Sequence, residues 1–204
     1  MITRRGVCLV LAAASGTGKT SLSRKMIAAD SNLRLSVSMT TRAPRDGEID
    51  GVHYLFRTQA EFDALVAAGG FLEHAHVFGR SYGTPRAPVE AALASGRDVL
   101  FDIDWQGHRL LRAALPADVV GVFILPPSIA ALADRLRGRG DPAEAVAKRM
   151  AEAEAEISHA GEFDHVLVND DFDVTLAGLT AILHAARSAT HRQTGLASLL
   201  ARMA

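Results

Sequence analysis

Uninterrupted apolar runs alternate with helical patterns along this chain. A run of this kind is typical of a parallel strand that is buried on both faces of a sheet. Because helical patterns separate the runs, we predict parallel strands joined by crossover helices, which is an α/β core. The runs predicted to form the buried strands are residues 7–13, 99–103, 119–125 and 166–168.

Shorter β-like pieces lie between the first and second of these runs, in a region rich in arginine, glycine and polar residues. Their length and surroundings differ from those of buried parallel strands, which favours a small sheet inserted into the core. The pieces are residues 33–37, 53–56 and 71–77.

Two helical patterns follow the third buried run. A Pro-Pro pair ends the strand, and Ser128 is suited to cap a helix that reaches the arginine- and glycine-rich stretch 135–140. A second helix is predicted to begin near Pro142, with an apolar stripe on one face. Two helices around such a hinge indicate a flap. The stripe consists of Val146, Met150, Ala153 and Ile157.

The length of 204 residues predicts one substantial domain with room for a mobile appendage. The sequence contains no internal repeat and no low-complexity linker. The sequence after Arg187 shows no strong pattern of secondary structure, and its leucines are compatible with a last short helix. These leucines are Leu196, Leu199 and Leu200.

Composition excludes several classes of protein. The formal net charge of -1 argues against general affinity for nucleic acid or acidic membranes, so any basic function must be local. The single cysteine, Cys8, lies inside the first apolar run, which predicts a buried, reduced thiol and a cytoplasmic location. The eight histidines show no metal-ligand spacing.

The beginning of the chain also allows a different interpretation. Arg4 and Arg5 precede an apolar run in which Ala12 and Ala14 are spaced like a signal-peptide cleavage site. The run is too short to span a bilayer. Cleavage after Ala14 would remove the apolar run just before a glycine-rich turn and an amphipathic helix, so we favour a buried strand.

A glycine-rich turn follows the first predicted strand and ends in Gly18-Lys19-Thr20. In a phosphate-binding loop, backbone N–H groups and the helix N-terminus bind phosphate oxygens, the lysine adds charge, and the threonine hydroxyl binds Mg²⁺. Ala13 stands where the usual pattern has its first glycine. Alanine fits there without strain if position 13 lies at the strand end. The alternative is a structural loop without a ligand.

The stretch "SVSMTTRAPRDGEIDGVHYLF", residues 36–56, contains a pair of arginines in a loop held by Pro44 and Gly47. Two guanidinium groups in this arrangement can face one phosphate. Taken alone, Arg42 and Arg45 are better explained as a solvated pair of surface arginines.

Together these segments resemble those of guanylate kinases, the P-loop enzymes that transfer the γ-phosphate of ATP to GMP or dGMP. The resemblance extends from about Gly6 to about Arg187 through SGTGKT, SVSMTTRAPRDGE, VHYLF, FLEHAHVFGRSYGT, VLFDIDWQG, RLRGRG and VLVNDD. It implies a P-loop NTPase core with a parallel sheet flanked by helices, a small mixed α/β segment that binds GMP, and a helical lid.

The resemblance also implies roles for individual residues, carried over by position. GMP contacts fall on Ser38, Arg42, Arg45, Tyr54, Glu73, Tyr82, Thr84 and Asp104. ATP contacts fall on Ser15, Gly16, Thr17, Gly18, Lys19, Thr20 and Asn169. The stretch Asn169-Asp170-Asp171 is equally explained as a strand end that caps the following helix. Mg²⁺ would lie near Thr20 and Asp102, and the catalytic residues would be Lys19, Arg42, Arg135, Arg139 and Arg149.

The chemistry of guanine independently explains the types of two of these residues. Guanine presents N1–H and an amino group as donors, which carboxylates such as Glu73 and Asp104 accept, whereas its O6 needs a donor such as a hydroxyl. Adenine would leave a carboxylate unpaired, at a cost of about 1 to 3 kcal/mol or more. Asp102 and Asp104 lie at the end of a buried strand, and residues two apart on a strand share a face. Ligands of open α/β sheets bind beyond the carboxyl ends of the strands, so both carboxylates are expected to face the binding crevice.

The resemblance implies a single domain with three parts. The core comprises residues 1–35, 85–125 and 163–204, the GMP-binding segment residues 36–84, and the lid residues 126–162. Arginines on a closing lid would stabilise the transferring phosphoryl group and exclude water. The implied ligands are ATP with Mg²⁺ and GMP or dGMP, with no nucleic-acid or membrane partner; the oligomeric state is open.

Three features depart from the family pattern. Ala13-Ala14 replace Gly-Pro in the loop, the lid between Arg139 and Arg149 is one residue shorter, and His74 stands where an aromatic residue is common. Two other functions remain as alternatives. One is a guanylate-kinase-like module that binds phosphorylated peptides, and the other is a P-loop kinase for another phosphorylated small molecule.

Overall fold

The computed structural model of the protein describes residues 3–77, 79–138 and 143–203. Nine strands, eight helices and two short 3₁₀ helices occur in this part of the chain. In chain order they are β1 (Cys8–Ala13), α1 (Lys19–Ala29), β2 (Leu33–Leu35), β3 (Met39–Thr40), β4 (Leu55–Phe56), α2 (Gln59–Ala67), β5 (Phe71–Val77), β6 (Arg80–Pro85), α3 (Arg86–Ala94), β7 (Asp98–Asp102), α4 (Trp105–Ala114), β8 (Val119–Leu125), α5 (Ile129–Arg137), α6 (Ala143–Ile157), a 3₁₀ helix (Ala160–Glu162), β9 (His165–Val168), α7 (Phe172–Ser188), a second 3₁₀ helix (Thr190–Arg192) and α8 (Leu196–Leu200).

A parallel sheet of five strands forms the core, in the order β2-β7-β1-β8-β9. Alternate residues of β1 pack on opposite faces because side chains alternate along a strand. Cys8, Val10 and Ala12 join the hydrophobic cluster on one face, and Leu9 and Leu11 join the cluster on the other. The predicted α/β core and its four parallel strands are therefore confirmed. The burial predicted for the run 166–168 is wrong, because it forms the edge strand β9, in which Val166 and Val168 are 45% and 53% exposed.

The prediction that residues 33–37 belong to the small inserted sheet is wrong. Residues Leu33–Leu35 form the edge strand β2 of the core sheet and pair in parallel with β7, Leu33 lying opposite Asp98. Only Leu33 is buried, whereas Leu35 is 49% exposed. A three-residue edge strand buries too few side chains to show the long apolar run of a central strand, so its pattern resembled that of the small sheet.

A second sheet of four strands follows in the order β4-β3-β6-β5. It contains two of the predicted pieces, as β4 and β5, and is completed by β3 and β6. Helix α2 packs on it through Phe62, which stacks on Phe71 with ring centroids 4.5 Å apart, and Met39 lies in the same cluster. Thr58 and Glu61 start α2 with reciprocal capping hydrogen bonds. The predicted small inserted sheet is confirmed.

The two helices of the predicted flap pack on each other and on the loop after β1. The predicted stripe lies in one hydrophobic cluster with α5, and the helix that carries it, α6, begins at Ala143. Ala14 belongs to the same cluster, so the flap helices contact the loop directly. The predicted last helix is α8. The members of the cluster are Ala14, Leu132, Leu136, Val146, Met150, Ala153 and Ile157.

Cys8 is fully buried, as the sequence predicts. Burial raises the pKa of its thiol to about 12, so the thiol is protonated at neutral pH. The described helices include none with both the length and the apolar composition needed to cross a bilayer.

Asp98, the first residue of β7, is fully buried and joins distant parts of the chain. Its carboxylate accepts two hydrogen bonds from Arg4, at 2.7 and 2.9 Å, one from the Val7 N–H at 2.9 Å and one from Arg187 at 2.7 Å. Burial alone would raise its pKa, but these donors outweigh burial and lower it.

We expect Asp98→Asn to lower the free energy of unfolding by about 3 kcal/mol, because Arg4 and Arg187 lose a buried counter-charge. Urea denaturation measures this, with the exposed Asp46→Asn as the matched control. The folded-state pKa is depressed, so the contribution of Asp98 is present above the unfolded pKa of about 4 and declines as pH falls. Equal denaturation midpoints for Asp98→Asn and the wild type at pH 7 would contradict this role.

Candidate active site

The loop between β1 and α1 has the backbone of a phosphate-binding turn. Gly16 and Gly18 have φ angles of 94° and 96°, in the left-handed region that glycine adopts without strain. Gly18 is the N-cap of α1, so the helix N-terminus points into the loop. Ala13 is the last residue of β1 and pairs with Ile124. An extended residue needs no glycine, and this explains why alanine fits at position 13.

The loop is held from behind by buried polar groups. The Thr17 side chain is fully buried and its hydroxyl donates to the Ala14 carbonyl. Asn169, which is 5% exposed, donates its side-chain amide to the Thr17 carbonyl at 2.6 Å. Arg135 in turn donates to the Asn169 carbonyl at 3.0 Å. Asn169 and Arg135 therefore brace the loop in this structure.

The N-cap of α7 is Asp171, whose carboxylate accepts a hydrogen bond from the Val174 N–H at 2.9 Å. The helix cap predicted at Asn169-Asp170-Asp171 is therefore confirmed, with Asp171 as the capping residue. The Asn169 side chain bonds to the loop instead. A contact between Asn169 and adenine stays a prediction. Its side-chain N–H group lies against the loop, 2.8 Å from where a Cβ on Gly18 would stand.

A cavity of about 380 Å³ opens above the loop. The Lys19 ammonium lies 2.5 Å from Asp102 Oδ1 and donates to the Ile103 carbonyl at 3.3 Å. The structure thus brings together the loop, its lysine and the carboxylate that ends β7. The residues that line the cavity are Ala13, Ala14, Ser15, Gly16, Gly18, Lys19, Thr20, Ser21, Asp102 and Glu156.

The oxygen ligands predicted for Mg²⁺ lie in this cavity. The Thr20 hydroxyl and the Asp102 carboxylate line it together, and Mg²⁺ is commonly bound by one or two such groups plus substrate phosphates. In the described part of the chain no group of three or more histidine, cysteine, aspartate or glutamate side chains could hold a metal ion by itself. The donor set fits a magnesium ion that arrives with a polyphosphate.

A second cavity, of about 300 Å³, lies between the small sheet and α4. The chain continues into it from Asp102 through Ile103 to Asp104, so the end of β7 joins the two cavities. The rings of Tyr54 and Tyr82 meet edge to face, with centroids 6.1 Å apart. Of the predicted GMP contacts, those that line this cavity are Ser38, Tyr54, Glu73, Tyr82 and Asp104.

The two carboxylates of the second cavity are held by different partners. Glu73 accepts a hydrogen bond of 2.6 Å from the hydroxyl of Thr84, which is 1% exposed. Burial raises the pKa of Glu73; the Thr84 hydrogen bond opposes this and nearby Asp104 adds to it, and the net shift is upward. Asp104 caps α4 with one oxygen, which accepts from the Gly107 N–H at 2.8 Å.

Thr84 was predicted to contact guanine, and its hydroxyl proton is donated to Glu73 in the structure. It therefore orients the carboxylate from behind. His74, one of the departures from the family pattern, contacts the rings of Phe62 and Phe71. His74 is exposed and also lines the second cavity.

Arg42 is held by a carboxylate that the sequence analysis did not single out. Glu48 receives two hydrogen bonds from the Arg42 guanidinium, at 2.9 and 2.8 Å, and one from the Arg45 N–H at 2.7 Å. The guanidinium of Arg42 lies 5.4 Å from the centroid of the Tyr54 ring. Arg42 lowers the pKa of Glu48 to about 2, so this pair is charged at neutral pH.

The Arg45 side chain is exposed, and its contribution to the loop is the backbone N–H bonded to Glu48. The two guanidinium groups predicted to face one phosphate are thus differently placed, Arg42 beside the tyrosines and Arg45 toward solvent. A GMP-phosphate contact by both stays a prediction.

The three arginines predicted for the lid differ in their surroundings. Arg135 is on α5 and bonded to Asn169, as described above. Arg149 is on α6, next to Met150 of the apolar stripe. Arg139 lies outside the described residues.

Comparison with known proteins decides the family. The model of the family described as guanylate kinase matches residues 5–186. The chain belongs to the guanylate kinase family. It is 61% identical to a guanylate kinase of Granulibacter bethesdensis, over 93% of this chain and 89% of the relative. It is 55% identical to a guanylate kinase of Gluconobacter oxydans, over 98% and 97% of the two chains.

The fold agrees with a solved member of the guanylate kinase family. The crystal structure of guanylate kinase from Anaplasma phagocytophilum superimposes with a TM-score of 0.75 at 38% identity, covering 98% of this chain and 96% of that one. The predicted P-loop NTPase core is thereby confirmed, and the chain is a nucleoside monophosphate kinase by family.

Two carboxylates near the cavities of this guanylate kinase family member were not predicted from the sequence. Glu48 follows Arg45 by three residues, and nothing in the pattern distinguishes it from the other acidic residues of the loop. Glu156 lines the loop cavity from α6. It directly precedes Ile157 and follows Ala153 by one turn, so its position beside the apolar stripe could have identified it as facing inward.

Proposed function

We propose that the chain transfers the γ-phosphate of ATP to GMP or dGMP, giving ADP and the nucleoside diphosphate. One observation carries the proposal: the strand end Asp102–Asp104 joins a cavity lined by a phosphate-binding loop to a cavity lined by two tyrosines and two carboxylates. The first suits a donor polyphosphate and the second an acceptor nucleotide. The names of the relatives, each a guanylate kinase, support the same reaction.

The residues of this chain contribute positioning and charge. The phosphate of GMP is already an anionic nucleophile, so the reaction needs no general base. Lys19 lies at the junction of the two cavities, where charge develops on the phosphoryl group during transfer. Mg²⁺, held through Thr20 and Asp102, would neutralise charge on the donor phosphates. Arg135, Arg139 and Arg149 are proposed to approach from the lid.

Guanine selectivity is proposed to rest on the carboxylates of the second cavity. Glu73 and Asp104 can accept from the N1–H and the amino group of guanine, and Ser38 can donate to O6. Adenine and the pyrimidines lack this set of donors, and binding them would leave a desolvated carboxylate without a partner.

We expect Glu73→Gln to reduce the ratio of kcat/KM for GMP to that for AMP by about tenfold or more. Glutamine replaces one acceptor oxygen of the carboxylate with an amide N–H donor, which would face the donors of guanine. The kcat/KM for GMP should therefore fall more than that for AMP. The measurement is ADP release with each acceptor. Glu90→Gln is the control, a similar change on α3 at a residue that does not line the cavity. An unchanged ratio in a folded Glu73→Gln protein would contradict the guanine assignment.

The test of the proposed function is a coupled ADP-release assay with ATP and Mg²⁺, using GMP, dGMP, AMP, CMP and UMP as acceptors. We expect turnover with GMP or dGMP and at most traces with the others. Turnover with another acceptor only would favour a different P-loop kinase. No turnover with any acceptor, in protein that unfolds cooperatively, would favour the phosphopeptide-binding module.

The division of the chain and its location belong to the same proposal. The GMP-binding segment 36–84 contains most of the small sheet, and the lid 126–162 contains α5 and α6. We propose a cytoplasmic enzyme, which accords with the buried, protonated thiol of Cys8. Its proposed partners are ATP and the guanine nucleotide.

A further inference from the structure

A carboxylate of the flap lies in the cavity of the phosphate-binding loop. Glu156 is on the last turn of α6 and lines this cavity together with Ser15, Gly16 and Lys19. The other glutamates of α6 in the described part of the chain, Glu144, Glu152 and Glu154, are exposed and do not line it.

The groups that face Glu156 are those that a polyphosphate would use. The Ser15 backbone N–H and the charge of Lys19 both stabilise its carboxylate, whereas burial, Asp104 and Glu152 disfavour the charged form. Burial is the largest of these effects, and the net shift of the pKa is upward. Loop N–H groups and a lysine form an anion-binding site, and they do not distinguish a carboxylate from a phosphate by charge.

In this structure the packing of helix α6 places Glu156 in the cavity. Ala153 and Ile157, on either side of it, belong to the hydrophobic cluster that includes Leu132 and Leu136 of α5. Ala14 of the loop is part of this cluster. Helix α6 is therefore docked on the loop itself, and its carboxylate is directed into the cavity by that contact.

We propose that Glu156 competes with the ATP polyphosphate for the loop, so that ATP binding displaces this carboxylate and the end of α6 that carries it. The inference rests on the proposed function, since it takes ATP as the ligand of the loop. The polyphosphate would need the Ser15 N–H and the charge of Lys19 that Glu156 faces, and repulsion between the two anions in a partly desolvated cavity is strong. ATP binding is thereby coupled to the position of the helix that also carries Arg149.

The chain contains a natural reporter for this displacement. His159, two residues beyond α6, stacks on Trp105 with ring centroids 3.6 Å apart. Trp105 is the only tryptophan of the chain. A movement of the end of α6 changes this stack, and the emission of Trp105 changes with it.

The test compares ATP binding to the wild-type chain and to Glu156→Gln by calorimetry with Mg²⁺. We expect the apparent Kd for ATP to fall by about threefold or more in Glu156→Gln, because the loop no longer has a charged competitor. Glu154→Gln, the same change on the exposed face of the same helix, controls for the loss of one negative charge and should leave the Kd within about twofold.

A second measurement uses the wild-type chain alone. We expect addition of ATP without GMP to change the emission of Trp105, and an unchanged spectrum at saturating ATP would overturn the proposal. An equal or weaker affinity for ATP in a folded Glu156→Gln protein would overturn it as well, even if the wild type releases ADP in the presence of GMP. Failure of the wild type to bind ATP would overturn the proposed function together with this inference.

Discussion

Lys19→Ala is expected to lower kcat by about a hundred- to a thousandfold while GMP binding stays measurable. The Lys19 ammonium is the positive charge that the structure holds in the loop cavity, 2.5 Å from Asp102, at the passage toward the acceptor cavity. Phosphoryl transfer depends on charge stabilisation and positioning more than on covalent chemistry. Removing this charge therefore raises the barrier of the chemical step.

The measurement is ADP release at saturating GMP, with GMP binding followed by calorimetry on the same protein. Lys25→Ala is the matched control, since Lys25 is exposed on the same helix and does not line the cavity. Lys19 and Asp102 are partly exposed, so the loss of their ion pair should affect stability little. A Lys19→Ala protein with a kcat within a few-fold of the wild type would refute the assignment of the loop.

The core of this fold could be predicted because each buried strand is encoded locally. The runs at 7–13 and 119–125 are apolar at nearly every position, as strands covered on both faces must be, and they match β1 and β8 within one residue. The loop was equally local, since two glycines with positive φ and the following helix lie within a few residues. Asp102 and Asp104 followed from the rule that ligands bind at the carboxyl ends of strands.

The parts that could not be predicted depend on partners distant in sequence. Asn169 bonds to Thr17 across 152 positions, and Arg135 to Asn169 across 34. Each of these contacts is made by a single polar residue. Such a residue produces no repeating pattern in the sequence from which the contact could be predicted. The prediction for the edge strand β2 is wrong for a related reason, because its partner β7 begins more than 60 residues later and three residues show no pattern that identifies this pairing.

The acceptor cavity shows both situations in one place. The type of Glu73 follows from the chemistry of guanine, the two tyrosines were implied by the family resemblance, and all three residues line one cavity. The role of Thr84 as the donor that orients Glu73 became visible only from the register of β5 and β6, which sets the two residues opposite each other. Residue types thus indicated the ligand. The pairing of β5 with β6 determined which side-chain groups are already hydrogen-bonded and which remain available to the ligand.

Arg42→Ala is expected to lower kcat/KM for GMP by about a hundredfold. The guanidinium is preorganised by its paired hydrogen bonds to Glu48 and by the rings of Tyr54 and Phe56, at 5.4 and 5.7 Å from their centroids. A cation held in this way needs little reordering to meet a phosphate. Its removal also leaves the charge of Glu48 without its neutralising partner, which would repel the phosphate of GMP.

Glu48→Gln separates these two causes. It keeps the guanidinium but removes the charged half of the pair, so we expect a smaller loss, of about tenfold, seen mainly as a higher KM for GMP. In the double variant Arg42→Ala/Glu48→Gln the repulsion is absent, and its kcat/KM should exceed that of Arg42→Ala alone. Arg57→Ala, which removes another ion-paired arginine of the same segment, is the control.

The steady-state constants for GMP at fixed, saturating ATP decide between these expectations. If Arg42→Ala keeps the KM and kcat of the wild type, Arg42 does not bind the phosphate of GMP, and the ion pair with Glu48 only shapes the loop. If the double variant is no better than Arg42→Ala, the unpaired carboxylate does not contribute. A higher KM for GMP in Glu48→Gln alone, where the guanidinium is still present, would identify Glu48 as the group that positions Arg42 for the acceptor phosphate.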